Sequence, residues 1–302
     1  MSYSFVAGCL LIAFGPALAI FMRVIAHDPL RIILFVLGAF FWLMSLLFSA
    51  LFWFAVVPLR DTLAFSLAFA ILLQEVFRFL FFLLLKKAEI GLEKVSNTGL
   101  QMAGVHSLKD ARHTIALVCG LGFGVMSGLF GLLNVAADSI GDGVPGLPHI
   151  DNLPVQPDYM FFVYSSLSIM PSILLNMCWT VLFWDGCHKI FHGHDKMAFA
   201  QLAAVVASHF FVSYMSLLNQ NHHYYVFLPV EYIVLLLTFV WTYLHSGGSM
   251  KQLGDGLNFR RNASVPENQG DQTSAQPGPG TRQATAVIGQ GENQGSVVIR
   301  SQ

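Results

Sequence analysis

Glu75 and Arg78 are the two residues in this chain whose types and spacing most invite chemistry. They stand three apart in Leu73-Gln74-Glu75-Val76-Phe77-Arg78, so a helix puts both on one face, where they can pair. Within an apolar run such a pair is either structural, orienting its helix, or part of a site that handles a polar substrate. Asn176 and His209 lie in two further apolar runs, well away from their ends. Each can hydrogen-bond across helices, and an intramembrane histidine can also serve as a base or a ligand. Ser127 with His209 would supply the nucleophile and base of an intramembrane serine protease. That chemistry needs the serine on a broken or strained helix end beside an oxyanion hole. Ser127 instead lies inside a continuous apolar run, and the residue two before it is Val125, not glycine. Aspartyl chemistry needs two carboxylates within the membrane. Asp142 and Asp255 each follow a glycine, but both fall in polar connecting stretches. No His-Glu-x-x-His is present. Cys187, His188, His192 and His194 crowd an expected loop. They either hold a metal or form a solvated juxtamembrane loop, and Cys187 is a candidate for palmitoylation. None of these groups completes a catalytic set, so no cofactor or metal is expected.

The elements that must position these residues are membrane-spanning. The chain has 302 residues, 55% hydrophobic and only 11% charged, with a mean hydropathy of +0.62. That balance belongs to a polytopic membrane protein rather than a soluble domain. A net charge of −1 gives no reason to expect nucleic acid. Cys9, Cys119, Cys178 and Cys187 sit in or beside apolar runs and do not form a disulfide framework. Seven apolar segments predict seven spans, near 4–22, 32–57, 63–85, 114–137, 158–184, 197–218 and 224–244. The fold class is therefore all-α, a seven-helix transmembrane bundle over residues 1–245. Residues 246–302 turn rich in Gly, Gln, Ser and Asn and read as a disordered cytosolic tail.

Charge sets the expected orientation. Every Lys and Arg except Arg60 and Arg78 falls in the first, third and fifth loops or in the tail. Positive-inside then places those loops and the C-terminus in the cytosol, with the N-terminus lumenal or extracellular. Ala17-Leu18-Ala19 resembles a signal-peptide cleavage site. No basic residue precedes it and Arg23 follows it, which favours an uncleaved first helix. The fourth loop, 138–157, is rich in Gly and Pro and carries no Lys or Arg.

The fourth span carries a regular mark. Gly120, Gly124 and Gly128 recur every fourth residue. On a helix they form one slowly drifting stripe, widened by Ser127 and Gly131. A bare groove of this kind lets a second helix approach closely in lipid.

Several stretches together resemble the Aph (anterior pharynx-defective) family, the multi-span scaffold subunit of γ-secretase. They are Phe14-Gly15-Pro16-Ala17, Asp28-Pro29-Leu30-Arg31, Gly38-Ala39-Phe40-Phe41-Trp42-Leu43 and Leu73 to Arg78. Leu84-Leu85-Lys86-Lys87-Ala88, the three spaced glycines, Trp184-Asp185-Gly186-Cys187 and Ser208-His209 complete the set. The resemblance spans about residues 5–250. It implies a non-catalytic subunit that assembles with nicastrin, presenilin and presenilin enhancer. The complex cleaves single-span stubs such as Notch and amyloid precursor protein. It also implies residence in the endoplasmic reticulum, the Golgi and the plasma membrane. The family pattern has histidines in the fifth and sixth helices. His209 matches the second, while Asn176 stands where the first is expected. A hydrogen bond survives that exchange, because asparagine both donates and accepts; a role needing an imidazole does not. Seven spans with an external N-terminus also fit a heptahelical receptor. Against that reading, the third span has no Asp-Arg-Tyr at its end and the seventh no Asn-Pro-x-x-Tyr.

Overall fold

A computed structural model describes residues 3–56, 62–97, 112–140, 158–193, 196–221 and 224–248. Loop four from 141 to 157, Asp142, His194 and residues 249–302 lie outside them, as do Asp255 and almost all of the expected tail. Among the described residues there are seven α-helices: α1 (Tyr3–Ile20), α2 (Pro29–Ala55), α3 (Leu63–Asn97), α4 (Arg112–Ile140), α5 (Asp158–Gly193), α6 (Lys196–Met215) and α7 (Tyr224–His245). A π-helical turn, Phe21–Ile25, follows α1, and a 3₁₀ segment, Ser216–Asn221, follows α6. Among the described residues, seven helices are long and apolar enough to cross a membrane.

Two helices outrun the apolar segments that predict them. α3 continues to Asn97 and α5 to Gly193. Hydropathy marks the thickness of hydrocarbon, whereas a helix ends where its backbone bonds end. Cys187, His188 and His192 therefore lie on α5 and not in a loop. Cys187 is only 3% exposed, with its side chain packed in the core.

Local chemistry explains the helix ends that are well defined. Asp28 caps α2: its carboxylate accepts from Leu30 N at 3.0 Å, and Pro29 takes the first helical position. Arg31 Nε lies 3.2 Å from Asp28 Oδ2, and Arg31 Nη1 donates to Val24 O at 2.7 Å. The Asp-Pro-Leu-Arg stretch is thus a cap that ties the end of the first span to the start of the second. At the other end of the described chain, Gly247 has φ 91°. Gly247 N donates to Leu244 O and Gly248 N to Tyr243 O, the bond pair that closes a helix through a left-handed glycine.

The core is built around α5, which packs against α1, α4, α6 and α7. Phe162, Ile173, Leu175, Cys178 and Leu182 of α5 are almost fully buried. α4 is wedged between α2 and α5. α3 packs mainly on α2 through aromatic rings: Phe41 stacks on Phe81 at 4.5 Å and Phe52 on Phe69 at 5.2 Å between centroids. This leaves α3, α5 and α6 facing one another across the interior.

Candidate intramembrane polar site

The glycines of α4 let its neighbours come close. A Cβ added at Gly120 would meet Thr180 Cβ at 2.7 Å and Met177 O at 2.9 Å. One at Gly124 would collide with Ile173 O, and one at Gly128 would meet Ile173 Cδ1 at 2.7 Å. The second helix on the stripe is therefore the chain's own α5. Gly131 has looser surroundings, with Ile169 atoms at 3.8 Å. Gly122, two residues from Gly120 and Gly124, faces the other way: its added Cβ would strike Phe35 O. Gly38 of α2 answers it against Cys119 O. Glycine on both faces makes α4 thin enough to sit between α2 and α5, a second contact that sequence spacing alone does not single out.

That close packing brings α5 within reach of α3. Glu75 and Arg78, one turn apart on α3, form a buried ion pair between Glu75 Oε1 and Arg78 Nη1. Arg78 Nη2 donates to Asn176 Oδ1 of α5 at 2.9 Å. Asn176 Nδ2 donates to Ser172 O one turn earlier at 3.1 Å. His209 Nδ1 of α6 lies 2.6 Å from Glu75 Oε1, so Nδ1 carries the proton it gives to the carboxylate. The structure brings Glu75, Arg78, Asn176 and His209 into one cluster, and all four are buried.

Apolar and aromatic groups enclose these bonds. The His209 ring stacks on Trp179 at 4.4 Å between centroids. The Arg78 guanidinium lies 4.8 Å from the centre of the Phe123 ring of α4. Trp184 Nε1 of α5 donates to Arg78 O at 3.3 Å. Removed from water, an ion pair holds only if its geometry is good and its remaining donors are met. Here one carboxylate oxygen collects a guanidinium and an imidazole from two helices and the guanidinium reaches a third, while Glu75 Oε2 and Arg78 Nε are buried without a hydrogen-bond partner.

Ser127 does not join the cluster. His209 is engaged with Glu75, and Ser127, half-buried on α4, makes no hydrogen bond with it. Among the described residues, no three His, Cys, Asp or Glu side chains are grouped to hold a metal. Asp185 pairs with Lys189 one turn on and also accepts from Gln201 Nε2 of α6 at 3.1 Å. Gln201 Nε2 reaches Leu182 O as well, at 2.7 Å. Glu231 of α7, fully buried with both oxygens bonded to serines of α5, is a polar residue that sequence reasoning missed. A single acid in Leu228-Pro229-Val230-Glu231-Tyr232 has no local partner to mark it.

Chemically, then, this is a polytopic membrane protein whose buried polar side chains bind helix to helix. Residues 4–249 match the Aph-1 protein family, and the chain belongs to that family. It is 41% identical over 266 residues to the γ-secretase subunit aph-1 of Caenorhabditis elegans, covering 85% of each chain. It is 40% identical to the γ-secretase subunit Aph-1 of Drosophila melanogaster, covering 81% of this chain and 93% of the fly protein. The human γ-secretase subunit APH-1B is 37% identical, with 82% of this chain and 90% of the human one covered.

Proposed function

We propose that this chain is the non-catalytic, multi-span scaffold subunit of a γ-secretase complex. Its partners are presenilin, nicastrin and presenilin enhancer, and the assembled complex cleaves single-span proteins such as Notch and amyloid precursor protein. The observation that carries the reading is membership of the Aph-1 family over nearly the whole chain, with relatives named as γ-secretase subunits. The polar centre supports it, since Glu75, Arg78, Asn176 and His209 tie α3, α5 and α6 together. Gly120, Gly124 and Gly128 serve the same end by seating α4 on α5. The protein works in the endoplasmic reticulum, the Golgi and the plasma membrane, with its N-terminus lumenal or extracellular and its C-terminus cytosolic.

Affinity purification in mild detergent tests this. The tagged chain is expected to bring down presenilin, nicastrin and presenilin enhancer in fixed proportion, with cleavage of a Notch stub in the eluate. Recovery of the chain alone, or with a G protein on stimulation, would overturn the reading. Ser127→Ala in the same preparation should leave cleavage per complex unchanged. His209→Ala should lower the yield of complex more than cleavage per complex. Loss of cleavage with full assembly in either variant would restore the serine dyad.

A further inference from the structure

Pro171 lies inside the continuous helix α5. A proline has no N–H, so the carbonyl four residues earlier, Leu167 O, loses its helical donor. In hydrocarbon an unpaired carbonyl is costly, and a neighbouring helix must satisfy it. Tyr232 Oη of α7 donates to Leu167 O at 2.9 Å. The residue before it, Glu231, is 0% exposed. Ser168 Oγ donates to Glu231 Oε2 at 2.9 Å, and Ser172 Oγ to Oε1 at 2.7 Å. No Lys, Arg or His forms an ion pair with Glu231 among the described residues.

The serines behave unusually. A serine or threonine inside a helix commonly returns its hydrogen to a carbonyl three or four residues back. Ser45, Ser166 and Thr180 do so in this chain. Ser168 and Ser172 flank Pro171 and give theirs to α7 instead. α7 meets the core through Phe227, Val234, Leu235 and Trp241, while Ile233, Leu236, Leu237 and Phe239 face outward. In lipid, association rests on such packing together with interhelical hydrogen bonds, and the bonds of Glu231 and Tyr232 add to it here.

One turn beyond Ser172 stands Asn176. Its amide nitrogen donates to Ser172 O, and its amide oxygen accepts from Arg78. The two sets of bonds therefore meet at Ser172, whose hydroxyl serves Glu231 and whose backbone carbonyl serves Asn176, and they continue from Asn176 to Arg78, Glu75 and His209. We propose that Glu231 and Tyr232 clasp α7 onto α5 where Pro171 leaves the Leu167 carbonyl without a helical donor, and that Asn176 couples this clasp to the Arg78–Glu75–His209 cluster. Four helices then act as one polar unit, and the position of α7 answers to the state of a centre two turns away. The inference concerns contacts inside the chain and stands apart from the identity of its partners.

The test is a set of double-mutant cycles on the full-length protein, purified with whatever complex it forms. The readout is the rate of thermal unfolding at a fixed temperature. Glu231→Leu should raise that rate roughly tenfold, as expected when two buried hydroxyls lose their acceptor. Glu231→Gln, which still accepts from one serine, should raise it less. In the Glu231→Leu background, Ser168→Ala and Ser172→Ala should add nothing further. Glu231→Leu and His209→Phe lie on different helices, and sites so separated usually add. They should be non-additive here, and additive once Asn176→Leu is present. An unchanged rate in both Glu231 variants would overturn the clasp. Additivity with Asn176 intact would overturn the coupling. If Glu231→Leu fails to accumulate, the same cycles run with Glu231→Gln, which keeps both outcomes readable.

Discussion

The arrangement at Glu75 explains why its neighbours are not interchangeable. Its Oε1 collects Arg78 Nη1 from the same helix and His209 Nδ1 from another. Removing one partner of a buried pair leaves an uncompensated charge and costs about 3–5 kcal/mol. Glu75→Arg alone or Arg78→Glu alone should therefore abolish accumulation of the protein in membranes. The double reversal should recover part of it, because the pair is restored while His209 then faces a cation. Equal loss in the double and the single variants, read by immunoblot of membrane fractions, would count against the pair. Asn176 makes a second prediction. Asn176→Leu strands Arg78 Nη2 and should lower protein level, whereas Asn176→His keeps an acceptor for the guanidinium and should be tolerated better. The reverse order would mean that Arg78 does not depend on an acceptor from α5. The Glu75–Arg78 pair was legible in the sequence because three residues separate its members on one helix. Their bonds to Asn176 and His209 cross 98 and 134 residues of chain, which no local pattern reports. Glu231 escaped for the same reason, its serines lying 59 and 63 residues away.

Among the helices, α4 has two jobs, and its glycines divide between them. Gly120, Gly124 and Gly128 admit α5, while Gly122 admits α2. The regular spacing was legible because it falls on one face. Its occupant was not, since a groove reads alike whether the chain's own helix or another protein's fills it. A leucine at Gly124 would have to displace the α5 backbone at Ile173, and at Gly122 the α2 backbone at Phe35. Overpacking of this kind costs roughly 1–3 kcal/mol, more where backbone must move. Leucine also improves intrinsic helix propensity by about 1 kcal/mol over glycine, so any loss comes from packing. Gly124→Leu and Gly122→Leu should both reduce the heat stability of the chain itself, before any partner is considered. Gly8 on α1 is the control, because a Cβ there meets nothing within 4 Å. Gly8→Leu should leave heat stability unchanged. Melting curves of the three variants in one detergent decide the point, and a Gly124→Leu curve that overlays Gly8→Leu would remove α4–α5 packing from the account. The exact reach of α3 and α5 was hidden for a different reason: Lys86, Lys87 and Lys189 are good helix formers that simply leave the hydrocarbon.

For the molecule as a whole, seven spans were readable from hydropathy because each must cover about 30 Å of hydrocarbon with some twenty apolar residues. The order in which they pack was not readable, since lipid-facing and helix-facing sides of a span are both apolar. α5 became the hub through residues such as Ile173, Leu175 and Leu182, which differ in no way by type from the exposed Leu236 and Leu237 of α7. Orientation rests on another asymmetry. Arg23, Arg31, Lys86, Lys87, Arg112, Lys189 and Lys196 fall in the odd connections and Arg60 alone in the even ones. A translocating segment rich in Lys and Arg is retained on the cytosolic side. The chain carries a built-in reporter of the result. Asn262-Ala263-Ser264 is its only glycosylation sequon, next to Arg260 and Arg261. Glycan transfer occurs on the lumenal side, so Asn262 should remain bare. A sequon-bearing extension appended before Met1 should be glycosylated in the same cells. Treatment with an endoglycosidase should shift only the extended protein. A shift in the unextended chain that disappears in Asn262→Gln would invert the bundle and put the basic loops outside. It would also move the polar ends of α3 and α5 to the opposite membrane face, and the proposed complex would have to be rebuilt from that side.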